Sequence, residues 1–237
     1  MRKRSRRALL VAGGEDLVGE RRFRRLVEEA DCILAADGGY DALRSIGVEP
    51  QLVLGDFDSS ALLKERADQE AARKRGLQLL SYPVKKDATD SQLALDLLLE
   101  EGYEAVLLLG GSGSRADHSL ANLFLLHHYA RLGLFIGMES AHNQLVFLPG
   151  GSYGPISFPG DPYVSFLTTD EGVRLSLKGF EYPLEDQLLS PYSSLGVSNH
   201  IRSDQARIKL QAPPGCGVYF LISQGGNQDF FPVEPLV

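Results

Sequence analysis

The chain has 237 residues, of which 43% are hydrophobic and 23% are charged, and its formal net charge is −7. This composition is typical of a folded globular protein and excludes a chain that is disordered throughout. It contains no apolar run close to the roughly 20 residues that a membrane-spanning helix needs, and its acidity argues against nucleic acid as a main partner.

The basic run at the N-terminus, Arg2 to Arg7, is followed by an apolar stretch that is too short for a signal peptide. We therefore expect a solvated tail ahead of a first strand. The two cysteines, Cys32 and Cys216, form no CxxC pair, and the histidines show no metal-ligand spacing. These features exclude a zinc site and a disulfide scaffold, and they predict a reducing, cytoplasmic setting.

The first 140 residues alternate short apolar runs with amphipathic stretches. The strand-like runs are 8–12, 32–36, 52–54, 77–82, 106–109 and 134–138. Apolar residues share one helical face in two of the amphipathic stretches, namely Phe23, Leu26, Val27 and Ala30, and Leu93, Ala94, Leu97 and Leu98. This alternation predicts a doubly wound, mostly parallel α/β domain.

After residue 141, glycine, proline and serine separate short alternating segments, and long helical patterns are absent. The clearest segments are 163–167, 173–177, 207–210 and 218–222. Short strands with frequent turn signals predict a smaller all-β sandwich domain. We place the boundary at residue 145, so the predicted domains are 1–145 and 146–237.

Aspartate residues follow the predicted strands of the first domain, just past the point where each strand ends. They are Asp37, Asp56, Asp58, Asp87, Asp90 and Asp117. Because ligands bind at the carboxyl edge of an open parallel sheet, we expect these side chains to converge on one crevice. Converging carboxylates repel each other without a cation, and hard oxygen ligands favour Mg²⁺.

The segment Asp56-Phe57-Asp58 adds a local geometry to this expectation. In an extended segment, residues i and i+2 point to the same side, so both carboxylates reach one metal ion. A loop in which one aspartate caps the following helix has the same sequence pattern, and this alternative stays open.

Thr89 and Asp90 precede a strong helical run. Thr89 with Gln92 three residues later is a capping-box pattern, and Asp90 in the first turn complements the helix dipole. In a functional interpretation, which stays open beside this one, Thr89 presents its hydroxyl and the helix N-terminus to phosphate, and Asp90 is a third metal ligand. Lys85 and Lys86, just upstream, either pair with phosphate or face solvent.

The segment from Gly110 to His118 is a glycine-rich turn between a strand and a helix. Such a turn brings backbone N–H groups close to a bound anion. Arg115 would supply a planar fork for phosphate, and Asp117 adds a carboxylate on the same loop. The GxxxxGK[ST] pattern does not occur, which excludes a P-loop enzyme.

Four motifs in series resemble the thiamine pyrophosphokinase family in order and spacing. They are Ala36-Asp-Gly-Gly39, Pro50 through Gly55-Asp-Phe-Asp-Ser59, Lys86-Asp-Ala-Thr-Asp90 and Gly113-Ser-Arg-Ala-Asp-His118. The resemblance covers about residues 8–125 and continues through 179–184 and 196–199, which look like the thiamine-binding segments of that family.

The resemblance implies transfer of the terminal pyrophosphoryl group of ATP to thiamine, with Mg²⁺, by a homodimer in which the α/β domain of one subunit faces the β-sandwich of the other. It implies that Asp56, Asp58 and Asp90 hold the metal and that Arg115 and Asp117 join them in catalysis. The implied nucleotide ligands are Asp37, Gly38, Thr89, Gly111, Gly113 and Arg115. The implied thiamine ligands are Tyr182, which replaces the Trp of some members, Ser198 and Asn199.

Two other functions stay open on the sequence. A related diphosphokinase would act on another heterocyclic alcohol, such as a hydroxymethylpterin. A non-catalytic or NAD-dependent nucleotide-binding protein is the third candidate, because Gly111, Gly113 and Ala116 match the loose dinucleotide fingerprint and Glu139 ends the next strand, where a ribose-binding acid would lie.

Overall fold

The computed structural model describes residues 5–83, 85 and 87–223. Lys86, most of the predicted basic tail (2–4) and the segment 224–237 lie outside the described residues. The chain divides into two compact units, the first formed by residues up to 129 with 133–141, and the second by 130–132 with the residues from 142 onward. Within the described residues, no helix combines the length and the apolar character that crossing a membrane requires.

The first unit contains a parallel sheet whose strand order is β4-β3-β2-β1-β5-β6. Its strands are Arg7–Val11 (β1), Cys32–Ala36 (β2), Leu52–Gly55 (β3), Gln78–Ser81 (β4), Ala105–Leu109 (β5) and Phe135–Glu139 (β6). All six strands that the sequence predicts are present, and the central residues of five of them, such as Leu10, Leu34 and Leu108, are buried, whereas the edge strand β4 is mostly exposed. Continuous apolar runs are typical of parallel strands covered on both faces, so the doubly wound α/β prediction is confirmed.

The helices of the described chain are Glu20–Glu29 (α1), Gly39–Ser45 (α2), Arg66–Lys74 (α3), Asp90–Glu100 (α4) and Ala116–Arg131 (α5), and α5 begins in the first unit and ends in the second. The predicted faces of α1 and α4 are only partly correct. Helix α1 buries Phe23 and Leu26 as expected, while Ala30 already lies past its end. Helix α4 buries Ser91, Ala94, Leu95 and Leu98, whereas Leu93 and Leu97 are half-buried. The core-facing stripe of α4 is therefore shifted around the helix from the predicted one, because Leu95 and Ser91, not Leu93 and Leu97, face the sheet.

The strand order reverses at β1. The chain runs from β1 through β2 and β3 to β4 on one side, and then crosses to β5 and β6 on the other side. The loops after β1 and β5 therefore leave the sheet in opposite directions, which opens a crevice at their carboxyl ends.

The second unit is antiparallel, and its sheets have the orders β7-β13-β9 and β11-β10-β12-β8. Its strands are Asn143–Pro149 (β7), Gly151–Ile156 (β8), Tyr163–Leu167 (β9), Arg174–Lys178 (β10), Leu184–Leu188 (β11), Ala206–Gln211 (β12) and Gly217–Ser223 (β13). Residues alternate between buried and exposed along β9, β10 and β12, as the prediction of a smaller all-β domain requires. Phe166 stacks on Phe220 with ring centroids 5.0 Å apart and meets the edge of Phe180 at 5.8 Å.

Three of these strands, β7, β8 and β11, are missing from the sequence prediction. Strand β8 contains the turn-type pair Gly154 and Pro155, which hides its alternation. Strand β11 lies at the edge of its sheet and is mostly exposed, so it carries charged residues in place of an apolar pattern.

Candidate active site

Glycine-bearing loops meet at the carboxyl ends of β1, β2 and β5. A Cβ atom placed on Gly14 would lie 2.3 Å from the carbonyl oxygens of Gly110 and Ser112, and one on Gly39 would lie 1.9 Å from the carbonyl oxygen of Val11. Only glycine fits at such distances, so the three loops pack backbone against backbone. The loop after β1 is a part of the site that the sequence analysis missed, because a glycine pair carries no chemistry of its own.

These loops border a cavity of about 440 Å³ at the carboxyl edge of the parallel sheet. Its wall includes the predicted site residues Asp37, Gly38, Asp56, Thr89 and Asp90, and the glycine-rich loop adds Gly111, Gly113 and Arg115. Three of the aspartates that the sequence predicts to converge here, Asp58, Asp87 and Asp117, lie outside the wall. Gly13, Gly14 and Glu15, from the loop after β1, complete one side. The structure thus brings most of the predicted nucleotide and metal residues of the first unit into one crevice.

Three carboxylates converge at this crevice, two of them in its wall. Among the described residues, Asp37, Asp56 and Asp58 each offer an oxygen, and these oxygens all lie within 4.8 Å of one another. Burial raises the pKa of Asp37, a hydrogen bond with Ser59 acts in the opposite direction, and the charges of the other carboxylates raise it again, that of Asp90 most strongly. Asp37, which the sequence assigned to nucleotide binding, is therefore at the centre of the carboxylate cluster, and Asp90 borders it.

The loop that carries Asp56 and Asp58 is not extended, although the sequence analysis assumed an extended segment there. Phe57 has a φ of 65°, in the left-handed region, and its side chain is only 1% exposed. The backbone N–H of Asp58 donates to Asp56 Oδ1 at 3.2 Å, and Ser59 Oγ donates to Asp58 Oδ1 at 2.9 Å. A bulky residue at positive φ is strained, and the buried Phe57 ring anchors the turn that brings the two carboxylates together.

The cluster fits a divalent cation with hard-ligand preference. Asp37 Oδ1 is buried and has no hydrogen-bond partner among the described residues, although a buried carboxylate oxygen normally has one. A cation held by Asp37, Asp56 and Asp58 would pair with this oxygen and offset the mutual repulsion of the carboxylates. The donor set is thus suited to Mg²⁺, although it differs by one member from the predicted set of Asp56, Asp58 and Asp90.

The N-terminus of α4 also borders the crevice. Thr89 is the N-cap residue, and its Oγ1 accepts a hydrogen bond from the backbone N–H of Gln92 at 3.2 Å. Since Thr89 lines the cavity as well, its structural role does not compete with a role at the site. The remaining N–H groups of this helical turn are the type of donor that binds phosphate.

Arg115 forms a bidentate ion pair with Asp117 at the start of α5. Its Nε lies 2.9 Å from Asp117 Oδ1 and its Nη2 lies 2.6 Å from Asp117 Oδ2. The guanidinium holds the pKa of Asp117 well below its usual range. Both side chains are exposed, so an exposed pair of this kind contributes little to stability and can open toward an incoming anion.

Glu139 does not face the crevice as a free carboxylate. It is buried and accepts hydrogen bonds from Arg22 Nε at 2.9 Å and Arg22 Nη2 at 3.0 Å, which join the end of β6 to α1. Since its oxygens are occupied, the ribose-binding role that the NAD-dependent alternative assigns to Glu139 is wrong.

The predicted acceptor residues lie in the second unit. The Tyr182 side chain is 59% exposed, so it is not a core aromatic. Asn199 is only 3% exposed, and its amide brackets the backbone of Tyr182: Nδ2 donates to Tyr182 O at 2.8 Å, and Oδ1 accepts from Tyr182 N at 3.0 Å. Ser198 has a φ of 59°, and its N–H donates to Ser165 Oγ at 3.0 Å. Asn199 therefore fixes Tyr182 in place, and its predicted direct bond to a ligand stays a prediction.

Fold and site together are typical of an α/β enzyme that handles phosphate groups, followed by a β-sheet unit. Residues 23–136 match the family model "Thiamin pyrophosphokinase, catalytic domain", and residues 156–213 match "Thiamin pyrophosphokinase, vitamin B1 binding domain". The thiamine pyrophosphokinase of Bacillus subtilis (strain 168) is 32% identical, over 81% of this chain and 88% of that protein.

Solved structures show the same likeness. The crystal structure of thiamine pyrophosphokinase from Bacillus subtilis superimposes with a TM-score of 0.78 at 28% identity, covering 92% of this chain and 99% of that one. The thiamin pyrophosphokinase structure from Geobacillus thermodenitrificans gives a TM-score of 0.75 at 26% identity, covering 93% and 98%. This chain belongs to the thiamine pyrophosphokinase family.

Proposed function

We propose that this protein transfers the pyrophosphoryl group of ATP to thiamine in the presence of Mg²⁺, giving thiamine diphosphate and AMP. Membership of the family supports the reaction class and the acceptor. The observation that carries the proposal in the structure is that Asp37 and Asp56, which converge with Asp58, line the same crevice as the glycine-rich loop. Carboxylates beside a phosphate-type loop are the parts that metal-assisted phosphoryl transfer uses.

In the proposed reaction, the hydroxyl oxygen of thiamine attacks the β-phosphorus of ATP. The bond between the β-phosphorus and the bridging oxygen to the α-phosphate breaks, AMP leaves, and the hydroxyl loses its proton. Bound Mg²⁺ would neutralise phosphate charge. The chain's own residues position the groups: the N–H groups of the loop around Gly111 and Gly113 and of the first turn of α4 face the phosphates, and Arg115 pairs with them.

The acceptor proposal rests on the exposed ring of Tyr182. Thiamine is a cationic aromatic molecule, which an exposed aromatic face attracts. We further propose that the protein is a homodimer in which acceptor residues of one subunit complete the nucleotide site of the other. We also propose the reducing, cytoplasmic setting that the cysteine pattern of the sequence predicts.

The direct test is AMP release from ATP by the purified protein with one acceptor at a time. We expect release that requires both Mg²⁺ and thiamine. Release with a hydroxymethylpterin in place of thiamine would assign the alternative acceptor, and no AMP with either alcohol would contradict the proposal.

Arg115→Lys is expected to slow AMP release about tenfold, because lysine keeps the charge but loses one charged hydrogen bond worth about 1.5 kcal/mol. The melting temperature should stay near the wild-type value, since the ion pair with Asp117 is exposed. The matched control is Arg66→Lys, which alters an exposed ion pair on α3. A wild-type rate and wild-type ATP affinity in Arg115→Lys would assign Arg115 to the ion pair alone.

Tyr182→Ala is expected to weaken thiamine binding about tenfold and to leave ATP binding unchanged, because a stacked ring on a cation contributes on the order of 1 to 2 kcal/mol. Titration calorimetry with each ligand measures both affinities. Tyr192→Ala is the control, since that tyrosine is 92% exposed in the same unit. A lowered melting temperature with unchanged thiamine affinity would make Tyr182 a structural residue.

A further inference from the structure

Asp41 is a half-buried carboxylate in the first turn of α2, and it is bonded to the chain that follows the Asp56–Asp58 loop. Its Oδ1 accepts from Ser60 Oγ at 2.6 Å and from the N–H of Leu62 at 3.3 Å, and its Oδ2 accepts from the N–H of Ala61 at 2.5 Å. Three donors from consecutive residues thus converge on one side chain. Charge-assisted bonds of this type are about twice as strong as neutral ones.

The bonded segment has little freedom to move by itself. Ser60 is fully buried, and its Oγ also accepts from the N–H of Leu63 at 3.1 Å. Upstream, the N–H of Tyr82 donates to the carbonyl of Gly55 at 2.9 Å, which holds the end of β3. The loop that carries Asp56 and Asp58 is therefore fixed at β3 on one side and by Asp41 on the other.

Asp41 also connects the two elements that supply the carboxylate cluster. Asp37 directly follows β2, and only Gly38 separates it from α2, on which Asp41 lies. Asp56 and Asp58 come from the loop after β3. The Asp41 carboxylate ties this loop to the β2–α2 segment, and so opposes the repulsion that would drive the three cluster carboxylates apart.

We propose that Asp41 is a positioning residue of the cation site, which sets the distance between Asp37 and the Asp56–Asp58 pair without touching the cation. This inference rests on the proposed function only in that the cluster holds Mg²⁺. Residues that orient metal ligands from behind typically contribute 10- to 100-fold to metal affinity. Asparagine at position 41 keeps one acceptor oxygen for Ser60 and Leu62 but turns an N–H₂ group toward the N–H of Ala61, so the segment loses one of its three bonds and the charge that strengthens the other two.

The test is Mn²⁺ binding to wild-type protein and Asp41→Asn without nucleotide, measured by the paramagnetic resonance signal of free Mn²⁺. We expect about tenfold weaker binding in Asp41→Asn, and the Mg²⁺ concentration for half-maximal AMP release should rise by a similar factor while the rate at saturating Mg²⁺ recovers. Asp68→Asn is the matched control, since Asp68 is an exposed acid in the first turn of α3.

A purely structural role would lower the melting temperature of Asp41→Asn and leave the Mn²⁺ affinity of the folded protein unchanged, and this result would overturn the inference. If Asp41→Asn does not fold, Ser60→Ala takes its place, because it removes one donor to Asp41 and leaves the carboxylate cluster intact. Wild-type Mn²⁺ affinity in folded Ser60→Ala would then overturn it. Failure of the proposed function would look different: wild-type protein would bind Mn²⁺ but release no AMP.

Discussion

Asp37→Asn is expected to reduce AMP release about 100-fold or more while raising the melting temperature of the metal-free protein. The rate falls because the variant loses the carboxylate at the centre of the cation cluster, and a bound metal contributes several kcal/mol of charge stabilisation. A carboxyl group whose pKa is raised by folding costs stability once it ionises above its folded pKa. Asparagine removes this cost and also tolerates the φ of 47° at position 37.

Thermal denaturation in the presence of a chelator and AMP release in excess Mg²⁺ measure the two effects. Asp58→Asn is the companion variant: the rate should again fall steeply, but Asp58 is exposed, so the melting temperature should change little. If Asp37→Asn or Asp58→Asn kept the wild-type rate and Mg²⁺ dependence, the cluster would not be the cation site.

Mixing two inactive variants is expected to restore activity if sites are shared between subunits. Asp58→Asn damages the first unit, and Asn199→Ala damages the second by releasing the backbone of Tyr182. In a dimer that contains one subunit of each kind, one of the two shared sites is built only from intact halves. Random mixing of equal amounts should therefore recover about a quarter of the wild-type activity.

The mixing experiment needs proof that subunits exchange, for example by capture of untagged protein on a tagged partner. Mixed dimers that form but stay inactive would show that each site is built within one chain. A single-variant sample carried through the same exchange protocol controls for simple reactivation.

The sequence predicts the first unit well because most of its parallel strands are buried and read as continuous apolar runs. All six predicted strands of that unit are present, down to the identical bounds of Cys32–Ala36. Strands of the second unit are less visible where an edge position replaces apolar residues with charged ones, as in Leu184–Leu188. An apolar pattern in the sequence arises from buried positions, and an exposed edge strand has few of them.

The site, like the fold, has features that the sequence predicts and features that it does not. Chemistry-bearing residues at strand ends could be identified in the sequence, and most of them line one cavity. That Asp37 joins Asp56 and Asp58 in one cluster could not be predicted, because the loop of Asp56 and Asp58 has a left-handed residue, Phe57, where an extended segment was expected. Nor could the role of Asp41, whose partners lie 19 to 21 residues further along the chain. The assigned roles of Asp90, Asp117 and Ser198 stay predictions.

The contact between Gly14, Gly39 and their neighbours has a consequence for how such a protein can change over evolutionary time. The floor of the crevice is made of peptide groups packed too closely to admit a methyl group, so almost every substitution of these glycines would disrupt the packing. New selectivity must arise elsewhere, and the exposed surface around Tyr182 is free to vary without disturbing the glycine-bearing loops. An experimenter who wishes to redirect the protein to a different alcohol should randomise that surface and leave the glycines alone.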